Sequence, residues 1–222
     1  FEAGETPVAG TTGDFYSADG SGADGCIDFF VANAGTHNAT FVRGVCIQDN
    51  YEFETPVYLF PIGEDPLEIK TADLNHDDFI DTVAALSDNI SLMYGVSGEL
   101  FDSPQYLNQG ELFQDLAPTE IEVEDVNDDG WVDLLVISSN HDSILVYLNG
   151  GVSAEEMVND TPHRTRFLGP YVIPVGVDPT GILVAPIFTD IQVDESENCN
   201  DLAVLNSGSG TVTLLRNRRC KK

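Results

Sequence analysis

The chain has 222 residues, 42% of them hydrophobic, enough for the core of one domain or two small ones. Its 9 Lys plus Arg stand against 38 Asp plus Glu, a formal net charge of -29, which sets the surface against nucleic-acid phosphates and anionic lipids. No apolar run reaches the roughly 18 residues that a membrane-spanning helix needs, and the opening FEAGETPV lacks the basic and apolar regions of a signal peptide.

Four copies of one pattern follow each other along the chain. The first runs from Asp14 to Gly44 (DFYSADGSGADGCIDFFVANAGTHNATFVRG) and the second from Asp73 to Gly95 (DLNHDDFIDTVAALSDNISLMYG). The third runs from Asp125 to Asn149 (DVNDDGWVDLLVISSNHDSILVYLN) and the fourth from Asp190 to Asn217 (DIQVDESENCNDLAVLNSGSGTVTLLRN). Aligned on Asp28, Asp81, Asp133 and Asp201, the copies are 53, 52 and 68 residues apart. Each has an acidic loop, a short apolar run, a polar turn and a second apolar run, and the runs have strand length and strand composition. Strand candidates such as LEIKTADL and TEIEVEDV precede the loops. Aromatic or Pro-bearing stretches lie further upstream: FETPVYLFPIG, FLGPYVIPVG and, at the start, FEAGETPVAG. Only SAEEMVND shows any helical periodicity.

Four strands in a repeat of about 50 residues predict an all-β protein, a small β-propeller of about four four-stranded blades. Phe1–Gly10 reads as an outer strand that closes the last blade, which would leave no exposed sheet edge. The expected organisation is one domain over residues 1–222, with repeats at about 11–62, 63–108, 109–176 and 177–222 plus 1–10. Half of a larger ring, or a piece of one, is the competing reading.

The acidic loops carry the chemistry. Two of them read D-x-N-x-D-x-x-x-D: Asp73, Asn75, Asp77 and Asp81, then Asp125, Asn127, Asp129 and Asp133. Carboxylates this crowded repel one another unless a cation sits among them. Alternating oxygen ligands in a tight loop suit calcium, which takes six to eight oxygens at roughly 2.3–2.6 Å in irregular geometry. The backbone carbonyls of Phe79 and Trp131 would add one oxygen each. No Cys or His falls in ligand phase, which argues against zinc and copper. An EF-hand needs Glu at the twelfth position, where these loops have Ala84 and Val136. Gly130 suits the sharp bend, and Asp78 takes its place in the other loop. The remaining loops are longer. Asp14, Asp19, Asp24 and Asp28, and likewise Asp190, Asp194 and Asp201, read either as ion sites or as decayed loops.

DVNDDGWVDLLVISSNHDSILVYLNGG resembles the FG-GAP or VCBS repeat, which has an acidic calcium loop, then DLxV, a turn and xVxVLLGN. YVIPVGVDPTGILVAPIFTDI is similar to that family's linker into the next loop. The resemblance implies the propeller fold and calcium. It does not imply one function, because such repeats build integrin ligand-binding heads, fungal propeller lectins and bacterial surface or appendage proteins.

Cys26 and Cys46, and Cys199 and Cys220, occupy equivalent places in two repeats at spacings of 20 and 21. Two disulfides within repeats, and an oxidising extracellular setting, are the expectation; buried free thiols are the alternative. Asn38, Asn89 and Asn159 head N-x-[ST] glycosylation sequons. His37, His76, His141 and His163 have no Ser or Cys partner in a catalytic arrangement, so the chain reads as a non-enzyme. Trp131, Tyr51, Tyr58, Tyr94, Tyr106 and Tyr147 are either a sugar-stacking surface or packing between blades. The expected function is an extracellular calcium-binding propeller that binds or adheres to a glycan or a protein. The alternative is a structural subunit of a filament, appendage or coat that assembles with copies of itself.

Overall fold

The computed structural model describes residues 4–15, 23–47, 50–54, 57–97, 99–107, 117–152, 164–188 and 200–217. Their regular structure is β-strand throughout, apart from one 3-10 turn at Ser139–His141. SAEEMVND lies outside the described residues.

The first sheet holds β1 (Pro7–Gly13), β2 (Asp28–Asn33) and β3 (Asn38–Val42). A ribbon of β4 (Gly44–Ile47) and β5 (Asn50–Phe53) leads to its outer strand, β6 (Tyr58–Pro61). The second sheet holds β7 (Pro66–Ala72), β8 (Asp81–Leu86) and β9 (Ile90–Met93). A second ribbon, β10 (Gly95–Val96) with β11 (Glu99–Phe101), precedes its outer strand β12 (Gln105–Tyr106). The third sheet is β13 (Pro118–Glu124), β14 (Asp133–Ser138), β15 (Ser143–Val152) and β16 (Thr165–Pro174). The fourth has three described strands, β17 (Pro179–Ala185), β18 (Asp201–Asn206) and β19 (Thr211–Leu215). Neighbouring strands in each sheet run antiparallel.

Each sheet opens the same way. Its first strand begins at a proline: Pro7, Pro66, Pro118 or Pro179. The preceding residue takes a left-handed backbone, with φ of 54° at Thr6, 46° at Asp65, 42° at Ala117 and 52° at Asp178. The register shifts just past the proline in all four sheets. Proline has no N–H to give a ladder, so it suits a strand start beside a bulge.

This shared opening corrects the expected placement of the N-terminus. Residues 7–13 do not complete the last sheet. They pair with β2 as the first strand of the first sheet, with Gly13 opposite Asp28. The signal was present in GETP (4–7), which matches GEDP (63–66) ahead of β7. The ring expected from that closing strand is open as well. β1 packs on β7, β7 on β13 and β13 on β17, and among the described residues no packing of that extent joins β17 back to β1. β1 stands at the inner edge of the first sheet, where it pairs with β2 and, among the described residues, with no strand of the fourth.

Three apolar layers hold the four sheets in a row. Phe30, Phe41, Ile69 and Met93 lie in the layer between the first and second sheets. Val83, Leu92, Leu134 and Tyr147 lie between the second and third, and Leu135, Ile144, Leu202 and Val204 between the third and fourth. Both faces of β8 and β14 are covered, so all six residues of each are buried, and the apolar runs Val83–Leu86 and Leu134–Ile137 do not alternate with polar residues. Tyr94 and Tyr147 belong to the second of these layers, which removes them from any sugar-stacking surface. Tyr51, Tyr58 and Tyr106 are exposed.

The Ile121→Ala variant should lose about 2–5 kcal/mol of stability in urea unfolding, because its side chain is wholly enclosed between the second and third sheets.

Candidate functional site

The aligned aspartates sit at the head of the second strand of each sheet, and all four are buried. Their carboxylates do the same work everywhere. One oxygen of Asp28 accepts from the Phe15 N–H at 2.8 Å and the other from the Gly44 N–H at 2.8 Å. Asp81 joins Leu74 (2.7 Å) to Gly95 (2.9 Å), and Asp133 joins Val126 (3.1 Å) to Asn149 (2.7 Å). Asp201 accepts from Ile187 (3.1 Å) and Phe188 (2.8 Å) on one oxygen and from Asn217 (2.8 Å) on the other. Each side chain thus ties the acidic loop to the end of the third strand. A carboxylate has about four lone-pair sites, so capacity for a cation remains on each.

The first aspartate of the loop organises the turn. Asp73 accepts from the N–H groups of Asp77 (3.2 Å) and Asp78 (3.1 Å), and Asp125 from those of Asp129 (3.2 Å) and Gly130 (2.7 Å). Asp77 and Asp129 accept from Phe79 and Trp131, each at 2.9 Å. Asp78 and Gly130 both have positive φ, 68° and 91°, as their matching places in the motif require. Asn75 donates to Asp77 at 2.8 Å. Asn127 differs: its Oδ1 is buried and has no hydrogen-bond partner. An orphaned buried oxygen is costly, and in a loop of carboxylates it is the atom that most needs a cation or a donor.

The first loop follows the same plan despite its extra length. Asp14 accepts from Asp24 (2.8 Å) and Gly25 (2.7 Å), and Asp24 accepts from Cys26 (3.0 Å). Here the cation comes from the chain: the Arg43 guanidinium reaches Asp24 at 2.9 Å and Glu54 at 3.0 Å. The Cys26–Cys46 disulfide joins this loop to β4. Asp19, Asp190, Asp194, Cys199, Cys220, Asn159 and His163 lie outside the described residues. Among the described residues, no group of three or more His, Cys, Asp or Glu side chains already converges as a metal cage.

Loops of neighbouring sheets touch. His76 stacks on Trp131 with centroids 4.1 Å apart and planes 7° from parallel. The Asn149 amide donates to the Leu74 carbonyl of the preceding loop at 2.8 Å, and Asn217 does the same to Val126. These two latches were missed from sequence; their signal is the shared Asn that ends YLN and LRN, where the other copies have Gly44 and Gly95. A cavity of about 440 Å³ lies between the third and fourth sheets, walled by Leu135, Val146, Ile173 and Leu202 and bordered by Asn127. His141 does have a serine partner, Ser138 Oγ at 2.9 Å, but Ser138 is buried and the pair braces a turn. Asn38 opens β3, with its Oδ1 accepting from Asn33 and Thr36, while Asn89 lies in the turn between β8 and β9.

Burial pushes the Asp81 carboxyl up to about 8; the N–H groups of Gly95 and Leu74 hold it back, and the charges of Asp77 and Asp73 add to the rise. Asp133 rises to about 6, again chiefly by burial, restrained by Asn149 and Val126 and raised by Asp129 and Asp125.

The fold and these repeated loops define an all-β protein of propeller type. Two solved structures similar to it are crystals of BBS1N, a β-propeller, in complex with ARL6DN, soaked with lead and with mercury. The lead-soaked structure matches at a TM-score of 0.52 and 13% identity, over 97% of this chain and 57% of that one. The mercury-soaked structure gives 0.55 and 14%, over 96% and 59%. The chain therefore spans less than two thirds of the propeller it matches, and the likeness is one of fold. No protein-family model matches the chain, and neither does any curated protein.

A raised folded pKa means that the native state binds the proton more tightly than the unfolded chain, so stability falls as pH rises between the two pKa values. The chelator-treated protein should lose stability from about pH 4 to pH 8. In the Asp81→Asn variant the slope should be shallower by up to about 1.4 kcal/mol per pH unit, measured by urea unfolding across that window.

Proposed function

We propose that the chain is an extracellular, calcium-stabilised propeller module of FG-GAP/VCBS type, that its four sheets are consecutive blades, and that it binds a macromolecular ligand without catalysis. The observation that carries the calcium reading is the buried, unpartnered Asn127 Oδ1 in the loop that also holds Asp125, Asp129 and Asp133. An ion there would be held by those four side chains and the Trp131 carbonyl, and in the second sheet by Asp73, Asn75, Asp77, Asp81 and the Phe79 carbonyl. It would supply positive charge only. The residues do the rest: the first aspartate shapes the turn, and the buried ninth-position aspartate carries the ion's hold into two strands. In the first loop Arg43 takes the place of an ion at Asp24, so among the described loops calcium is assigned to the second and third sheets; Asp190 and Asp194 of the fourth lie outside the described residues.

The Cys26–Cys46 disulfide supports an oxidising compartment. The second reading, a structural subunit that assembles with copies of itself, is favoured by one observation: the outward face of the fourth sheet is bare and apolar, with Leu183, Leu205, Val212 and Leu214 all exposed.

Elemental analysis after extensive dialysis should find calcium at the loops of residues 73–81 and 125–133. At free calcium about 100 times the dissociation constant, each site should add about 2.7 kcal/mol to unfolding, all of it lost on chelation. Asp129→Ala should remove one of the two ions. A melting curve indifferent to chelator, with no metal bound, would refute the calcium reading, and immobilised protein that retains neither glycans nor extracellular proteins would refute the binding role.

A further inference from the structure

Each inner sheet has a rear face, turned to the sheet before it, and a forward face, turned to the sheet after it. Counting from the buried aspartate, the second and fourth residues on face forward: Phe30 and Ala32, Val83 and Ala85, Leu135 and Ile137, all buried under the next sheet. Ile144 and Val146, opposite them in the third sheet, are covered too. The same places in the fourth sheet hold Ala203, Leu205, Val212 and Leu214. There Leu205 is 55% exposed, Val212 55% and Leu214 50%. The fourth sheet carries the residue pattern of a covered face with, among the described residues, nothing on it.

The rear face of the first sheet is the other end of the row. Leu59 of β6, opposite Thr40, is 57% exposed, and Phe53 of the ribbon packs on Phe29 at 5.1 Å while remaining exposed. The inner strands at the two ends depart from the inner sheets in complementary ways. At the forward inner position, Lys70 of the second sheet and Glu122 of the third are replaced by Leu183 in the fourth. At the rear inner position, Ile69, Ile121 and Ile182 are replaced by Gly10 in the first. One end has gained an apolar side chain and the other has lost one.

Sheets in the row stack with their acidic loops side by side, as the His76–Trp131 and Asn149–Leu74 contacts require.

The geometry points to a head-to-tail association in which the forward face of the fourth sheet docks on the rear face of the first sheet of a second copy of this chain. The contact is heterologous, so two copies close a ring or many form a polymer, according to the rotation it imposes. It repeats the interface already made three times within the chain, and it does not need calcium in the loops.

Leu205→Glu and Leu59→Glu test it, one at each end; both side chains lie at the surface of the single chain, so circular dichroism and melting in dilute solution should be unchanged. Light scattering after size exclusion should give the full-length chain a mass of at least twice its 24.0 kDa. Each variant alone should remain at the single-chain mass, its association weakened at least about thirtyfold. An equimolar mixture of the two variants should recover a two-chain particle, because one intact pair of faces remains. The proposal is overturned if the wild-type chain stays single, whether another protein or further sequence covers the face, or if the mixture fails to recover, as face-to-face pairing of fourth sheets would require.

Discussion

A buried carboxylate at the head of the second strand holds each sheet to its loop, and the rest of the structure depends on it. Asp28, Asp81, Asp133 and Asp201 each accept backbone N–H groups from the loop on one oxygen and from the end of the third strand on the other. The N–H groups of Gly44, Gly95, Asn149 and Asn217 lie two residues past the last ladder pair with the second strand, so on that side no backbone partner is left. The side chain closes the sheet where the backbone cannot. It also sets the height of the loop above the strands, so the loops of successive sheets meet at one rim.

That solution carries an electrostatic cost. In the second and third sheets the carboxylates of Asp81 and Asp133 are desolvated and lie beside further aspartates, and both effects disfavour the charged form. Asp81 shows this most strongly, with its carboxyl pushed up to about 8. The first sheet answers with Arg43, whose guanidinium lies on Asp24 and Glu54, and with a disulfide across the same loop. No Lys or Arg stands within the second and third loops themselves, and in the third the oxygen of Asn127 is buried without a partner. The calcium reading rests on this difference between loops of one design: where the chain brings its own cation, the ligand aspartate is occupied, and where it does not, oxygens crowd together.

Repetition explains both the stability of the row and the character of its ends. An inner sheet is covered on both sides, so its second strand is buried at every position, apolar in the middle and polar only toward its ends. Among the described residues, the end sheets have one face each without a neighbouring sheet. A protein built only for solvent would make those faces polar. The first sheet goes part of the way, with Gly10 and Thr12 on β1, whereas the fourth places Leu183, Leu205, Val212 and Leu214 in the open.

How much of this could be read from the residues depended on how local the physics was. The four aligned aspartates, the D-x-N-x-D turns, the all-β character and the pairing of Cys26 with Cys46 were legible, because turn chemistry and strand periodicity are written over a few neighbouring residues and the repeat multiplies them. Phe1–Gly10 was misplaced, since short stretches with Pro and Val serve equally as inner or outer strands, and only the ladder to β2 decides between them. The same limit hid the Arg43–Asp24 pair, 19 residues apart, and the Asn149 latch on Leu74, 75 residues apart. Sequence by itself determined what each repeat is made of. Tertiary structure alone decided which strand starts the row, that Tyr94 and Tyr147 are core, and that the row stays open, because hydrogen-bond partners and covered faces are set by which sheets meet in space.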